Sequence, residues 1–235
     1  SGTGSTGAVA TGFPDRAGSL GSGIIRDHFP MRGARGVARN TSIIVTFKEP
    51  INISSIIKDY NDNGTPSDLS DDVATSTTIG VNADNVKIFA TAQGRTRALA
   101  TDAVRVQFTP DRQTFVFRPV DYLGSSVTST DYTVALVGGP SGILLETCRA
   151  GGRCPAFGGS RSSGYEWQFQ VSTNIDLTPP RITSVVPMTD ARYAPNIVVQ
   201  LNFNEALNPV SAAGVVRGGT GFNNIEVASR PATST

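Results

Sequence analysis

The stretch Thr41–Ile51, TSIIVTFKEPI, alternates apolar and polar side chains, ends the alternation at a phenylalanine and reaches a glutamate two residues later. The chain repeats this pattern at Asn196–Leu207, NIVVQLNFNEAL, again with a glutamate two residues after the phenylalanine. Alternation at a period of two residues is typical of a β-strand with one buried face. Two copies of one pattern indicate an array of similar β-domains, so this repeat decides the fold before any residue chemistry is considered.

The similarity continues on both sides of the two strands. Phe29-Pro30 lies upstream of the first copy as Val186-Pro187 lies upstream of the second. Downstream of the second copy, Phe222–Val227 (FNNIEV) matches Asn85–Ala90 (NVKIFA), but the later strands of the first unit have no counterparts in this sequence. We therefore predict one full unit and one partial unit, and half a sandwich would expose an apolar face and an unpaired edge.

Composition favours a globular β-protein. Of the 235 residues, 38% are hydrophobic and 17% charged, and 25 glycines and 14 prolines supply frequent turns. A net charge of +1 gives no field that would attract a polyanion, so we expect no nucleic-acid partner. No apolar run approaches the roughly 20 residues of a membrane-spanning helix. Ser1 begins without a signal segment, so either a signal was removed or this is an excised fragment.

Alternating segments predict the strands of the first unit. They are Ser42–Phe47, Asn85–Ala90, Ala103–Thr109, Thr114–Arg118, Asp131–Val137 and Tyr165–Val171. We expect the second, third and fourth of these strands to form a β-meander. After the first strand, Ile53–Tyr60 predicts one or two helical turns with Asn52 as the N-cap.

An acidic segment begins at Asp59 and suggests calcium. Its opening, D-x-N-x-N-G, matches the first half of an EF-hand-type loop, in which alternate oxygens converge on the ion. Position twelve of such a loop is Ser70 instead of a glutamate, so later aspartates would have to complete the shell. The alternative is a solvated acidic loop. The candidate Ca²⁺ ligands are Asp59, Asn61, Asn63, Asp68, Asp71 and Asp72.

Cys148 and Cys154 form a close pair in a Gly-rich loop. Their spacing matches neither a zinc knuckle nor a redox C-x-x-C motif, and His28 is the only histidine of the chain. We predict a local disulfide and hence an oxidising compartment outside the cytoplasm, the alternative being two free thiols.

Two further side chains have a structural and a functional interpretation. Trp167, the only tryptophan, shares one face of its strand with Phe169 and Val171, so it either seals the core or stacks on a ligand. His28 has no second histidine and no nearby cysteine as a partner, and we predict a structural role for it.

In their order, these segments resemble the bacterial Ig-like domains of S-layer and other cell-surface proteins. The matching pieces are LTPPRITSVVP, VTFKEPIN, LNFNEALNP, VFRP, DYTVAL and YEWQFQV. They cover residues 25–174 once and 178–227 as a partial second copy. The resemblance implies an all-β fold, an immunoglobulin-like β-sandwich followed by a partial second Ig-like unit, used as a spacer, fibre element or adhesive module without catalysis.

The predicted domain organisation follows from this resemblance. It consists of a flexible Gly/Ser-rich tail at 1–23, the Ig-like β-sandwich at 24–174, a Pro-Pro linker at 175–180 and the incomplete second domain at 181–235. The chain departs from the family pattern at Asp59–Gly80 and at Gly138–Gly164. A ligand site of its own is expected at these insertions, because loops at the ends of a sandwich carry its variable function.

The leading hypothesis for function is a non-catalytic extracellular structural module, a subunit or segment of a stalk, S-layer or filament. Its partners would be copies of itself or other surface proteins, and its missing strands come either from a longer chain or from another subunit by strand addition. The alternative is a calcium-stabilised adhesin or carbohydrate-binding module using the acidic loop, Tyr60 or Trp167. We do not expect an enzyme, since no Ser/His/Asp arrangement with supporting context, no H-E-x-x-H and no histidine cluster occurs.

Overall fold

A computed structural model describes residues 23–61, 73–74, 80–148, 154–157, 164–187 and 198–213 of the chain. These residues belong to two compact units, 23–176 together with 209–213, and 177–208. The described part consists of β-strands in antiparallel sheets, with only short helices. The predicted all-β class is therefore confirmed.

The strands begin and end close to the predicted residues. They are β1 (Ile25–Phe29), β2 (Ile43–Phe47), β3 (Tyr60–Asn61), β4 (Val73–Ala74), β5 (Val86–Ala90), β6 (Val104–Phe108), β7 (Thr114–Pro119), β8 (Thr130–Val137), β9 (Gly164–Val171), β10 (Ile182–Val186) and β11 (Gln200–Phe203). The described helices are four 3-10 turns (Ile53–Ser55, Thr91–Gln93, Arg95–Arg97, Thr101–Ala103) and α1 (Pro209–Ala213).

The first sheet of the larger unit has the strand order β1-β2-β7-β6, with every pair antiparallel. β2 is an inner strand, and Ile43 lies opposite Phe117 while Val45 lies opposite Phe115 of β7. Its alternate residues Ile43, Val45 and Phe47 are completely buried. The alternation in the sequence therefore corresponds to a strand with one face in the core.

The second sheet has the order β5-β8-β9. Trp167, Phe169 and Val171 of β9 are buried in the core, which confirms the predicted shared face. The predicted β-meander is wrong, because β5 pairs with β8 instead of β6. The 3-10 turns between residues 91 and 103 separate β5 from β6, and strand alternation does not specify which neighbour a strand pairs with.

After β1 the chain passes from the first sheet to the second. Gly33 donates its N–H to the Gln168 carbonyl at 2.7 Å, and Val37 forms a parallel bridge with Val171 of β9. Gly33 has a φ of 73°, in the left-handed region that glycine adopts without strain. The segment 33–37 therefore covers the edge of β9 and joins the two sheets.

His28 lies in a polar cluster inside this core. Its Nδ1 is 2.9 Å from the Pro30 carbonyl and its Nε2 is 3.0 Å from the Tyr165 hydroxyl. The Trp167 indole also donates to the Pro30 carbonyl, at 3.0 Å. Burial lowers the pKa of His28, the Pro30 hydrogen bond opposes that shift, and the charge of Arg32 adds to it. His28 is therefore a buried, hydrogen-bonded residue of the core, which confirms the predicted structural role.

The helical segment after β2 is shorter than expected. Only Ile53–Ser55 forms a 3-10 turn, and Asn52 makes no side-chain capping hydrogen bond. The Asn52 Oδ1 instead accepts a hydrogen bond from the Ser54 hydroxyl at 2.6 Å. Asn52 therefore occupies the predicted N-cap position, but its side chain caps no backbone N–H, because the Ser54 hydroxyl occupies the oxygen that would accept it.

The smaller unit contains the hairpin β10–β11, which repeats the β1–β2 hairpin in detail. In both hairpins the register shifts by one residue near the start of the first strand, at Ile25/Asp27 and at Ile182/Ser184. Both first strands end at a cis X-Pro bond, before Pro30 and before Pro187. The two copies of the sequence pattern therefore also share the antiparallel pairing and the position of the bulge.

The two hairpins differ in burial, so matched substitutions should reduce stability strongly in the first hairpin and little in the second. Ile25 is 2% exposed and its counterpart Ile182 is 54% exposed. We expect Ile25→Ala to lower the free energy of unfolding by about 2–4 kcal/mol. Ile182→Ala should change it by less than about 0.5 kcal/mol. Urea unfolding followed by circular dichroism measures both, and equal losses would contradict this difference in burial.

The lowered pKa of His28 predicts a pH dependence of stability. The unfolded chain takes up a proton near the ordinary pKa of 6.5, whereas the folded protein does so only at lower pH. Stability should therefore fall as the pH drops through that value, by at most about 1.4 kcal/mol per pH unit. His28→Asn should flatten the curve between about pH 7.5 and 5.5. The raised pKa of Asp27 gives a slope of opposite sign in more acidic solution.

Candidate functional site

Two loop segments of the larger unit pair with each other. One, residues 50–57, follows β2, and the other lies in the cysteine-containing insertion after β8. Ile51 forms an antiparallel bridge with Leu145, and the N–H of Asn52 donates to the Leu144 carbonyl at 2.9 Å. The N–H of Glu146 donates to the Pro50 carbonyl at 3.0 Å. We name this paired region, residues 50–57 with 143–146 and 154–157, the loop junction.

The loop junction contains several buried apolar residues and is hydrogen-bonded to the sandwich. Ser55 accepts a hydrogen bond from the Leu144 N–H at 3.2 Å and donates to the Asn52 carbonyl at 2.6 Å. The Asn85 amide, just before β5, donates to the Ser55 carbonyl at 2.8 Å. These bonds fasten the junction to the sandwich. Its buried apolar residues are Ile51, Ile53, Ile56, Ile57, Ile143, Ala156 and Phe157.

A charge pair ties a third loop to the junction. Arg112, in the turn between β6 and β7, forms an ion pair with Glu146. The Arg112 carbonyl also accepts the N–H of Ile51 at 2.9 Å. The two charged side chains are only 10% and 21% exposed, so each depends on the other for compensation of its charge. Sequence reasoning missed this pair, since nothing local marks residues 34 positions apart as partners.

The cysteines close one side of the junction. A disulfide joins Cys148 to Cys154, with their Cα atoms 5.4 Å apart. The Cys154 carbonyl accepts the N–H of Leu145 at 2.8 Å, and Pro155 forms a bridge with Leu144. The disulfide therefore holds the two sides of this loop at the distance that the backbone hydrogen bonds require.

The predicted calcium ligands lie mostly outside the described residues. This holds for Asn63, Asp68, Asp71 and Asp72, which stay predictions. Of the other two ligands, Asp59 has a φ of 55°, a left-handed conformation that aspartate tolerates, and Asn61 belongs to β3. The described ranges contain no group of three or more His, Cys, Asp or Glu side chains arranged to hold a metal.

The two aromatic candidates for ligand stacking lie in different surroundings. Trp167 is 0% exposed and donates its indole N–H to the backbone, so the core interpretation is confirmed. Tyr60 is half-buried, and its ring meets Phe108 edge-on at a centroid distance of 6.0 Å. Trp167 is therefore inaccessible to a carbohydrate.

The hairpin β10–β11 presents a second candidate surface. Among the described residues, β11 pairs with β10 on one side and with no strand on the other. Every residue of β10 is exposed, and Val199, just before β11, is 44% exposed. We name this unpaired side of β11, with the apolar side chains beside it, the open edge.

Comparisons with known proteins give a limited result. The sequence matches no protein-family model and no curated protein. Domains 1–6 of the surface layer protein SbsC are 14% identical, with a TM-score of 0.30, over 65% of this chain and 14% of that one. The S-layer protein rSbsC(31-844) is 15% identical, with a TM-score of 0.30, over 65% and 15%. These scores are too low to support a conclusion about this chain.

A further finding concerns membranes. Over the part of the chain that the structure describes, no helix is both long and apolar enough to cross a bilayer.

The buried ion pair predicts a difference between two glutamate substitutions. Glu146→Gln removes the partner charge of buried Arg112 and should lower the free energy of unfolding by about 2 kcal/mol. Glu166 pairs with Arg95 at 2.8 Å, but those side chains are 45% and 54% exposed. Glu166→Gln, the matched control, should cost less than about 1 kcal/mol. Thermal unfolding compares the two variants, and a larger loss for Glu166→Gln would contradict the assignment.

Proposed function

We propose that this chain is a non-catalytic structural module of the cell surface, built as an immunoglobulin-like sandwich. The strand orders β1-β2-β7-β6 and β5-β8-β9 correspond to the ABED and CFG sheets of a constant-type Ig domain. The Tyr132 hydroxyl, near the start of β8, accepts the Gly124 N–H at 2.9 Å. A tyrosine bonded to upstream backbone at this place is a hallmark of Ig-like sandwiches.

The observation that carries the proposal is the second hairpin of the same design. We take a chain that contains the β1–β2 arrangement twice, including the bulge near the start of the first strand, as an organisation in successive copies of one unit. Successive similar units are typical of stalks, fibres and layers, in which each unit contributes length and contacts with its neighbours.

The course of the chain through the larger unit also fits a spacer. The chain enters beside the end of β2, where the Ile24 carbonyl accepts the Lys48 N–H at 2.8 Å. It leaves beside the start of β2, where the Asn40 amide donates to the Asp176 carbonyl at 2.7 Å and accepts the Asp176 N–H at 3.0 Å. Entry and exit therefore lie at opposite ends of one strand, as in a chain of units joined end to end.

The compartment follows from the cysteine chemistry. A disulfide persists in an oxidising environment and is rare in the cytosol, so the proposed location is extracellular or on the cell surface. The proposed partners are copies of this chain or other surface proteins. Calcium binding by the acidic segment that begins at Asp59 also remains a proposal.

Two measurements test the function. Negative-stain electron microscopy of the native protein released from the producing cells should show ordered filaments or sheets. A membrane-impermeant biotin reagent should label the protein on intact cells as strongly as after lysis. Dispersed monomers that are labelled only after lysis would overturn the proposal, and calcium-dependent binding on a glycan array would favour the adhesin alternative.

A further inference from the structure

We infer that the open edge of β11 accepts an antiparallel strand with large apolar side chains at alternate positions, which is the pattern of β7. The inference names the partner chemistry of the proposed structural module and rests on that proposed role. What supports it is the chain itself, because the β1–β2 hairpin has the same geometry and shows which neighbour covers it.

The backbone of β2 shows how the covered edge is used. The N–H of Lys48 points to the β1 side and donates to the Ile24 carbonyl at 2.8 Å. The N–H of Phe47 points the other way and donates to the Gln113 carbonyl, next to β7, at 2.8 Å. Because successive residues of a strand direct their backbone groups to opposite sides, Phe47 and Val45 serve the β7 side.

The same alternation assigns the groups of the open edge. The N–H of Asn204, the counterpart of Lys48, donates to the Arg181 carbonyl on the β10 side at 3.1 Å. The backbone groups of Phe203 and Leu201 therefore point to the side where the described residues provide no strand. Unpaired N–H and C=O groups in a row are a template for an added strand.

The side chains provide the second part of the surface. Val45 and Phe47 are completely buried in the larger unit, whereas their counterparts Leu201 and Phe203 are only half-buried. Ile43 is completely buried, and its counterpart Val199 is 44% exposed. The apolar face that the first hairpin hides is therefore partly in contact with water in the second, and covering it would be favourable.

The β2–β7 ladder also predicts the register of the added strand. Ile43 faces Phe117 and Val45 faces Phe115. An occupant of the open edge should accordingly place one large apolar residue opposite Val199 and another, two residues away, opposite Leu201. The β7 strand of this chain cannot serve, because it is paired on both sides, with β2 and with β6.

The probe is a synthetic peptide with the sequence of Thr109–Val120, TPDRQTFVFRPV. It is titrated into the uniformly ¹⁵N-labelled full chain, and amide signals and hydrogen exchange are recorded by NMR. We expect shifts and at least about tenfold slower exchange at the amides of Val199, Leu201 and Phe203, because these N–H groups gain acceptors. A control peptide with serine in place of both phenylalanines should leave them unchanged.

A matched pair of variants separates the backbone from the side chain. Leu201→Pro removes the N–H on the open edge and leaves the β10 ladder intact, a placement that an edge strand tolerates. Leu201→Ala shortens the side chain but keeps the N–H. We expect the proline variant to abolish peptide binding and the alanine variant to weaken it. The dispersion of the β10 amide signals shows whether each variant keeps its hairpin.

Three results would overturn the inference. They are equal effects of both peptides, effects confined to amides away from Val199, Leu201 and Phe203, and an edge whose amides respond to neither peptide. Failure here is distinguishable from failure of the proposed function. Peptide binding by a protein that is not on the cell surface would remove only the proposed role, and filaments without peptide binding would remove only this inference.

Discussion

The pairing of β2 with β7 is the interaction on which the rest of the sandwich depends. It gives β2 a partner on both edges and places Ile43, Val45 and Phe47 against the interior. The hairpin β10–β11 has the same ladder and bulge but no such neighbour among the described residues. Its counterparts of these three residues are half-buried (Leu201, Phe203) or exposed (Val199). A two-stranded hairpin alone can bury neither its outer edges nor an apolar face. The third strand, β7, is therefore what allows the β1–β2 hairpin to form part of a core.

The loop junction adds a second layer of constraint at one end of the same strand. It joins three separate loops through a backbone bridge, an ion pair between Arg112 and Glu146, and a disulfide. The chain leaves at the other end of β2, where Asn40 holds Asp176. A cross-linked end, a hydrogen-bonded exit and a repeated unit support the proposed role of a structural module.

Much of this could be predicted from sequence. The strands, the shared face of Trp167, the structural role of His28 and the repeat all follow from periodicity and from missing partners, which are local properties of the chain. The β-meander was wrong, and Asn52 occupies the predicted N-cap position without making a side-chain capping bond. The edge of β5 pairs with β8, which is distant in sequence, instead of with β6. The Asn52 oxygen accepts a hydrogen bond from the neighbouring Ser54 hydroxyl instead of from a backbone N–H.

The sequence by itself determined that this chain is built of alternating strands and that one strand pattern occurs twice. Only the tertiary structure decided that β5 pairs with β8, that the segment after β2 pairs with the loop after β8, and that Arg112 compensates Glu146. The physical reason is that alternation specifies which face of a strand is buried. The backbone hydrogen bonds that join strands are the same for every residue type, so partners are selected only when whole apolar faces close over each other.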